Sequence, residues 1–384
     1  MREGWEYKRL GEVATFVNGY AFKPNQWKES GYPIVRIQNL NNPNAPYNYF
    51  DGEVPDNVRI QNGDLLISWS ASLGVYIWDS GKALLNQHIF KVVFDKMDID
   101  KFFLKYAVTS KLETMAGQVH GATMKHIVKK DFDNTLIPCP PKSTQQLIVA
   151  ELDKINELIR LKKEQLEDYD RLAQSIFYDM FGDPVENEKG WERKVMPELC
   201  DIIDGDRGKN YPKQEEFTSS GYCLFLNAKN VTKTGFDFSM CSFITKEKDE
   251  IMRKGKLQRG DLVLTTRGTI GNIAIYNSDV KYNNVRINSG MVILRLNHYI
   301  DKTMFEKQFK LHLSSIKQKI ASGSAQPQLP ISSMKKIKMI IPPLPLQHLF
   351  AQRIEQIERQ KEEVKKAITD LETLLASRMQ YWFE

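Results

Sequence analysis

No apolar run in the sequence approaches the ~20 residues of a membrane-spanning helix, and the opening MREGWEYKRL has no apolar core of a secretory signal. Both absences predict a cytoplasmic protein. Only four cysteines occur in 384 residues, Cys139, Cys200, Cys223 and Cys241, with no CxxC pair and no histidine nearby at ligand spacing. A disulfide framework and a zinc site are therefore not expected, and the thiols should be reduced and mostly packed. The histidines are scattered, and the one close pair, His120 and His126, falls in a polar loop where a plain loop role outweighs metal binding. A P-loop is missing too, because Gly81-Lys82, Gly208-Lys209 and Gly255-Lys256 are followed by Ala, Asn and Leu. There is no GxSxG elbow, HExxH helix, glycine-rich adenosylmethionine loop or Asn-Pro-Pro-aromatic motif; IIPPLP lacks the asparagine whose amide would hold a target amine. The triplets Glu6-Tyr7-Lys8 and Glu192-Arg193-Lys194 have the spacing of metal-dependent nuclease sites, which also need an upstream acidic residue, and only Glu3 precedes the first. A structural first-strand role is the better reading, and no catalytic or metal-ligating residue is predicted.

What is present supports substantial cores. The hydrophobic fraction is 41%, and the length fits two or three domains. The net charge of +6 is unevenly spread: +2 over residues 1–142, −4 over 143–183, +9 over 184–345 and −1 over 346–384. Basic globular parts on acidic helices suit a polyanion for the former and a protein partner for the latter.

The chain is a tandem duplication. GWEYKRLGEVATFVNG at 4–19 faces GWERKVMPELCDIIDG at 190–205, Gly31-Tyr32 faces Gly221-Tyr222, and NGDLLISWSASLGVYIW faces RGDLVLTTRGTIGNIAIY. The offset between halves grows from 186 to 202, and every added residue falls between shared strands, which predicts surface loops. Each half then has a shorter amphipathic helix (101–115 and 302–320), a polar loop, a short apolar strand and a proline cluster at LIPCPP or IIPPLP. A long heptad stretch follows. Its seam is Leu152, Ile155, Ile159, Lys162, Leu166 and Tyr169 in the first half, and Ile354, Ile357, Lys361, Val364, Ile368 and Leu371 in the second. Each helix would be roughly 55 Å long at 1.5 Å per residue. The first runs from domain one to domain two, so equivalent halves require the second to run back. The helices should be antiparallel, with residue 384 ending near residue 1 and an approximate two-fold relating the halves.

The loops between strands are polar in both halves and differ between them. Arg and Lys suit guanine edges or phosphates, Asn and Gln suit adenine, and hydroxyls suit either. In the first half the candidates are Lys23, Arg36, Gln38, Asn39, Ser70, Ser72, Gln87, His88, Thr123, Lys125 and His126. In the second they are Arg207, Lys209, Asn210, Asn227, Lys229, Asn230, Arg267, Thr269, Asn288, Ser289, Ser322, Ser324, Gln326 and Gln328.

GWEYKRLGEV and GWERKVMPEL, the Gly-Asp-Leu strands at Gly63 and Gly260, SGSAQPQLPIS, IIPPLPLQHLFAQRIEQI and SIFYDMFGDP give the whole chain its likeness. It resembles the specificity subunit of a type I DNA restriction-modification system. The first half departs in having GATMKHI where the second has GSAQPQL. The resemblance implies an α+β architecture of two similar mixed α/β target recognition domains, 1–142 and 184–345. They would be joined by spacer helices, 143–183 and 346–384, that form an antiparallel coiled coil with pseudo-two-fold symmetry. It also implies that the chain reads a bipartite, non-palindromic site in double-stranded DNA, with half-sites about one helical turn (~34 Å) apart. Two methyltransferase subunits, and restriction subunits where present, would dock on it. Adenine methylation from S-adenosylmethionine and cleavage driven by ATP with Mg2+ would belong to those partners, leaving no cofactor on this chain. Two other classes stay open: a stand-alone methyltransferase or nuclease, and a coiled-coil scaffold without DNA specificity.

Overall fold

The computed structural model describes residues 4–42, 44–117, 127–321 and 328–384. The chain divides into two compact units, Met1–Glu164 with Lys365–Glu384, and Gln165–Val364. Each unit contains one mixed α/β domain and half of each long helix, so the helices are not appendages to the domains.

In the first unit the strand Glu6–Arg9 pairs antiparallel with Leu136–Cys139, the strand leading into the first long helix. The Glu6-Tyr7-Lys8 triplet thus lies on a two-stranded ribbon, where Lys8 pairs with Glu6 at 3.1 Å. An antiparallel sheet follows in the order Thr15–Asn18, Ile89–Val93, Leu65–Ser68, Gly74–Ile77. Leu65–Ser68 is buried along its length, as the unbroken apolar run of a central strand requires. A second sheet, ordered Asn48–Phe50, Tyr32–Val35, Ala83–Leu85, Arg59–Ile60, contains one parallel pair, Tyr32–Val35 with Ala83–Leu85. The helix Lys101–Gly117 buries Phe103, Leu104, Ala107 and Val108 in one core with Phe16, Leu65, Ile67 and Phe90 of the first sheet.

The second unit repeats this topology. Glu192–Val195 pairs with Lys338–Ile341, the four-stranded sheet runs Cys200–Asp204, Met291–Leu296, Leu262–Thr265, Ile273–Ile275, and Cys223–Leu226 lies parallel to Val285–Ile287. The helix Lys302–Ala321 takes the place of Lys101–Gly117. One expectation needs correction. The extra residues of this half do not form loops alone: they build a hairpin, Val231–Thr232 with Gly235–Phe236, and a helix, Lys246–Ile251, whose Asp249 is buried.

The long helices, Lys142–Phe181 and Leu344–Phe383, pack antiparallel within each unit. In the first unit Leu152, Ile155, Ile159 and Ile368 are buried, Leu371 and Lys162 are half-buried, and Lys163 reaches Glu372 at 2.9 Å. Nearer the chain ends, Arg378 and the Trp382 indole both hydrogen-bond Glu151. In the second unit Ile354, Ile357, Lys361 and Val364 are buried and Leu166 and Tyr169 half-buried, while Phe177 meets Phe350. The seam lysine is accommodated by partners. Lys361 Nζ lies 2.7 Å from Asp170 and 3.2 Å from Glu358. Burial opposes its charge, but those two carboxylates hold its pKa above the ordinary lysine value. Residue 1 lies outside the described residues, but the segments near both ends meet: Trp5 stacks on Trp382 with centroids 6.0 Å apart, and Lys111 Nζ donates to the Phe383 carbonyl at 2.7 Å.

Each long helix is locked at its start by the same residue. Gln145 accepts from the Asp100 amide and donates to the Pro140 carbonyl, both at 2.8 Å. Gln347 accepts from the Asp301 amide at 2.8 Å and donates to the Pro342 and Tyr299 carbonyls at 2.7 and 3.2 Å. Both glutamines are buried. Gln347→Leu strands an amide and two carbonyls, so the second unit should lose about 2–3 kcal/mol in denaturant unfolding; a loss under about 0.5 kcal/mol would contradict the clamp. The first long helix ends at Phe181, where Gly182 adopts φ 74° and donates to the Tyr178 carbonyl, the glycine stop visible in the sequence.

Candidate nucleic-acid interface

In each unit the polar loops are drawn together by one conserved piece of backbone geometry. The loop leaving the first sheet strand crosses the loop entering the strand Ile89–Val93 or Met291–Leu296 so closely that only glycine fits. A Cβ on Gly19 would lie 2.1 Å from the Asn86 carbonyl oxygen, and one on Gly205 would lie 2.2 Å from that of Asn288. Backbone hydrogen bonds extend the cluster in the first unit: Asn86 N to Val35 O (3.1 Å), Gln87 N to Tyr20 O (2.9 Å), Trp69 N to His88 O (3.2 Å) and Ile127 N to Trp69 O (2.9 Å). The second repeats three of them: Asn288 N to Leu226 O (3.0 Å), Thr266 N to Gly290 O (2.8 Å) and Leu329 N to Thr266 O (3.0 Å). A buried hydroxyl closes each hairpin, Ser68 donating to the Ser72 carbonyl at 2.6 Å and Thr265 to that of Thr269.

In the first unit this places Ser70, Ser72, Gln87 and His88 in one loop cluster, next to the turn that carries Arg36 and Gln38. Lys23, Gln38, Ser72 and Gln87 are exposed. Arg36 is half-buried, its guanidinium 5.3 Å from the centre of the Trp27 ring and 3.3 Å from the Asn48 side-chain oxygen, so its direction is fixed. Ser70 is buried. The second unit gathers Arg207, Asn288, Ser289, Arg267, Thr269 and Gln328. Arg207 spans Asp204 (3.1 Å) and the Ser289 carbonyl (3.3 Å), Arg267 forms an isolated β-bridge with Gln328, and Asn288 accepts from Gly290 N at 2.9 Å. Lys209, Lys229, Arg267, Thr269 and Gln328 are exposed, and Asn210 donates to the Ile251 carbonyl at 3.0 Å. Thr123, Lys125, His126, Ser322, Ser324 and Gln326 lie outside the described residues.

Two candidates serve the loops from inside. Asn39 is 3% exposed and Asn230 is 1% exposed. Each accepts from the amide three residues back, Arg36 at 3.1 Å and Asn227 at 3.0 Å. Each also donates to two carbonyls further on, Asn39 to Ala45 and Pro46, Asn230 to Asp237 and Met240. Their amides are consumed within the protein, so they position the turns bearing Arg36 and Lys229; Asn227 caps the same turn through the Lys229 amide at 2.9 Å. The sequence reading missed Asp206. Its carboxylate accepts from the Gly208 and Arg253 amides, both at 2.9 Å, which hold its pKa below the usual range and fix the loop carrying Arg207 and Lys209. An Asx-type turn at Asp206-Arg207-Gly208 is the signal that identifies it.

Among the described residues no cluster of three His, Cys, Asp or Glu side chains is placed to hold a metal ion, and no helix is long and apolar enough to cross a membrane. Lys194 pairs with Glu192 at 2.8 Å and lies 4.9 Å from the Tyr299 ring centre, a local neutralisation on the strand ribbon. Burial pushes the Cys139 thiol up to about 11 and those of Cys200 and Cys223 up to about 12. These three should resist iodoacetamide at pH 8 in the folded protein and react after unfolding, as mass spectrometry would record; rapid native labelling of Cys200 would contradict the packing.

A repeated scaffold that offers the same loops with unlike polar side chains defines a modular reader, in which the frame is constant and the word varies. The profile of the type I restriction modification DNA specificity domain matches residues 2–168 and 188–373. The chain belongs to that family and carries two copies of its domain. It is 23% identical over 399 residues to the type I restriction enzyme EcoBI specificity subunit of Escherichia coli, covering 96% of this chain and 82% of that one. Against the MjaVIII specificity subunit of Methanocaldococcus jannaschii it is 24% identical over 408 residues, covering 97% and 92%. Among solved structures, one describing complex assembly and conformational transition of the type I R-M system superposes with a TM-score of 0.61 at 18% identity, covering 99% of this chain and 97% of that one.

Proposed function

We propose that this chain is the sequence-reading subunit of a type I restriction-modification complex, each domain recognising one half of a bipartite, non-palindromic DNA site. The observation that carries the reading is the loop cluster. The two units build it with the same glycine crossing and three equivalent backbone hydrogen bonds, yet furnish it with different side chains. Identical frames with different contents suit two different half-sites. Chemistry belongs to partner subunits in this reading. Methyltransferase subunits, two per chain, use S-adenosylmethionine to methylate adenine, restriction subunits use ATP and Mg2+ to cleave, and the complex works in the cytoplasm. Leu172 and Leu374, at equivalent positions of the two long helices, are 47% and 46% exposed, which supports docking of one partner type at two equivalent places.

The test is to reconstitute the chain with its methyltransferase subunits and sequence the methylated adenines of a DNA library. A two-part, non-palindromic motif is expected. Methylation or cleavage by the chain alone would favour a stand-alone enzyme, and failure of the complex to bind any DNA would favour a scaffold.

A further inference from the structure

Three non-glycine residues among those described have positive φ, and two of them, Ala71 (58°) and His88 (76°), sit in the loop cluster of the first unit. The third, Asn187, is of a type that tolerates this region. Strand register identifies what the second unit has at the same places. Ile89 lies opposite Ser68 as Met291 lies opposite Thr265, and the carbonyl just before each accepts from Trp69 N or Thr266 N. His88 therefore occupies the position of Gly290, and Ala71, three residues after Ser68, that of Gly268. Gly268 shares the left-handed conformation of Ala71 (φ 70°), whereas Gly290 is not among the residues of positive φ, so the bend at His88 belongs to the first unit alone; both Ala71 and His88 carry side chains on backbone that disfavours them.

No hydrogen bond to the ring among the described residues compensates His88 for that conformation. Its ring meets Trp69 edge-on at 5.0 Å, and its Nδ1 is buried with no hydrogen-bond partner. Strain and an unsatisfied ring nitrogen coincide at one loop residue, at a position where the sister domain folds with glycine. A φ of 76° by itself favours glycine at this position. We propose that His88 is a specificity-determining residue of the first domain, its half-buried imidazole hydrogen-bonding a base edge of double-stranded DNA in that domain's half-site through Nε2, the ring nitrogen that is not sealed in the fold. The second domain makes no side-chain contact from the equivalent Gly290. The inference rests on the DNA-reading function proposed above.

The test uses the full chain in complex with its methyltransferase subunits and compares wild type with His88→Gly and His88→Asn. In His88→Gly one base position of one half-site should become degenerate, with discrimination there falling roughly 10-fold, the scale of a single base contact. The other half of the motif should be unchanged, and the Tm of the variant should equal or exceed that of wild type because the bend is relaxed. Ala71→Gly calibrates that relaxation through Tm alone. Asn accepts positive φ and keeps hydrogen-bonding atoms, so His88→Asn should retain part of the discrimination. A bipartite wild-type motif that His88→Gly leaves intact would overturn the role of His88 alone, as would a lowered Tm with uniform loss of methylation at all sites. A wild-type complex with no bipartite motif would overturn the functional reading as well.

Discussion

Asp249→Ala is expected to destabilise the second unit by about 3–5 kcal/mol, the scale for removing one partner of a buried ion pair. For a unit of this size that corresponds to roughly a 10 °C fall in Tm by calorimetry. Asp249 is 1% exposed and receives Arg286 and Lys256, and Arg286, itself buried, also donates to the carbonyls of Lys254 (2.7 Å), Asp249 (2.6 Å) and Met252 (3.1 Å). Without the carboxylate a guanidinium remains in the interior with only carbonyls to hold it. The first unit shows a different solution, since strand register puts Leu84 where the second has Arg286. Asp249→Leu combined with Arg286→Leu should therefore recover most of the loss, and a double variant no better than Asp249→Ala would refute that account. The pair also sets an acid limit. Burial opposes ionisation of Asp249, but hydrogen bonds from Lys256 and Arg286 outweigh it and lower its pKa below the ordinary 3.8. Its contribution is therefore complete above about pH 4 and is lost as the pH falls through the depressed folded value.

The sequence made the scaffold legible because the scaffold is periodic or punctuated. Heptads located the long helices, proline clusters their starts, Gly182 the end of the first, and the duplication announced equal topology in both units. What stayed hidden depends on closure over distance. Asn39 and Asn230, read as candidate DNA contacts, are consumed by carbonyls six to ten residues on, and no local pattern separates a capping asparagine from an exposed one. Nor does KEKDE in Lys246–Ile251 give any sign that its aspartate meets an arginine 37 residues later. The helices were legible as a seam but not as domain core. A heptad identifies the face turned to the other helix and says nothing of flanks, so the burial of Ile148 and Phe383 with Phe103 and Leu104 came only from tertiary packing.

That packing decides how the two halves can be recombined. Replacing residues 1–142 by the corresponding domain of another family member is expected to change one half of the methylated sequence completely and leave the other half intact. The loops gathered around Gly19 all lie inside this stretch, and the second unit's loops lie outside it. The cut nevertheless passes through a core. Tyr106 donates to Asp153 of the first long helix at 2.5 Å and accepts from Asn156 at 3.0 Å, Phe103 packs on Phe383 with centroids 5.4 Å apart, and Trp5 stacks on Trp382. A donor domain with residues equivalent to Trp5, Phe103, Tyr106 and Lys111 should give a stable hybrid. One lacking the tyrosine should be destabilised by several kcal/mol, because the aromatic burial is lost and Asp153 and Asn156 lose a partner. The measurement is the methylation motif of each hybrid complex together with its unfolding free energy. A stable hybrid in which both halves of the motif changed would end the modular reading; a destabilised one with the correct new half-site would place the fault in the helix contacts and leave recognition intact.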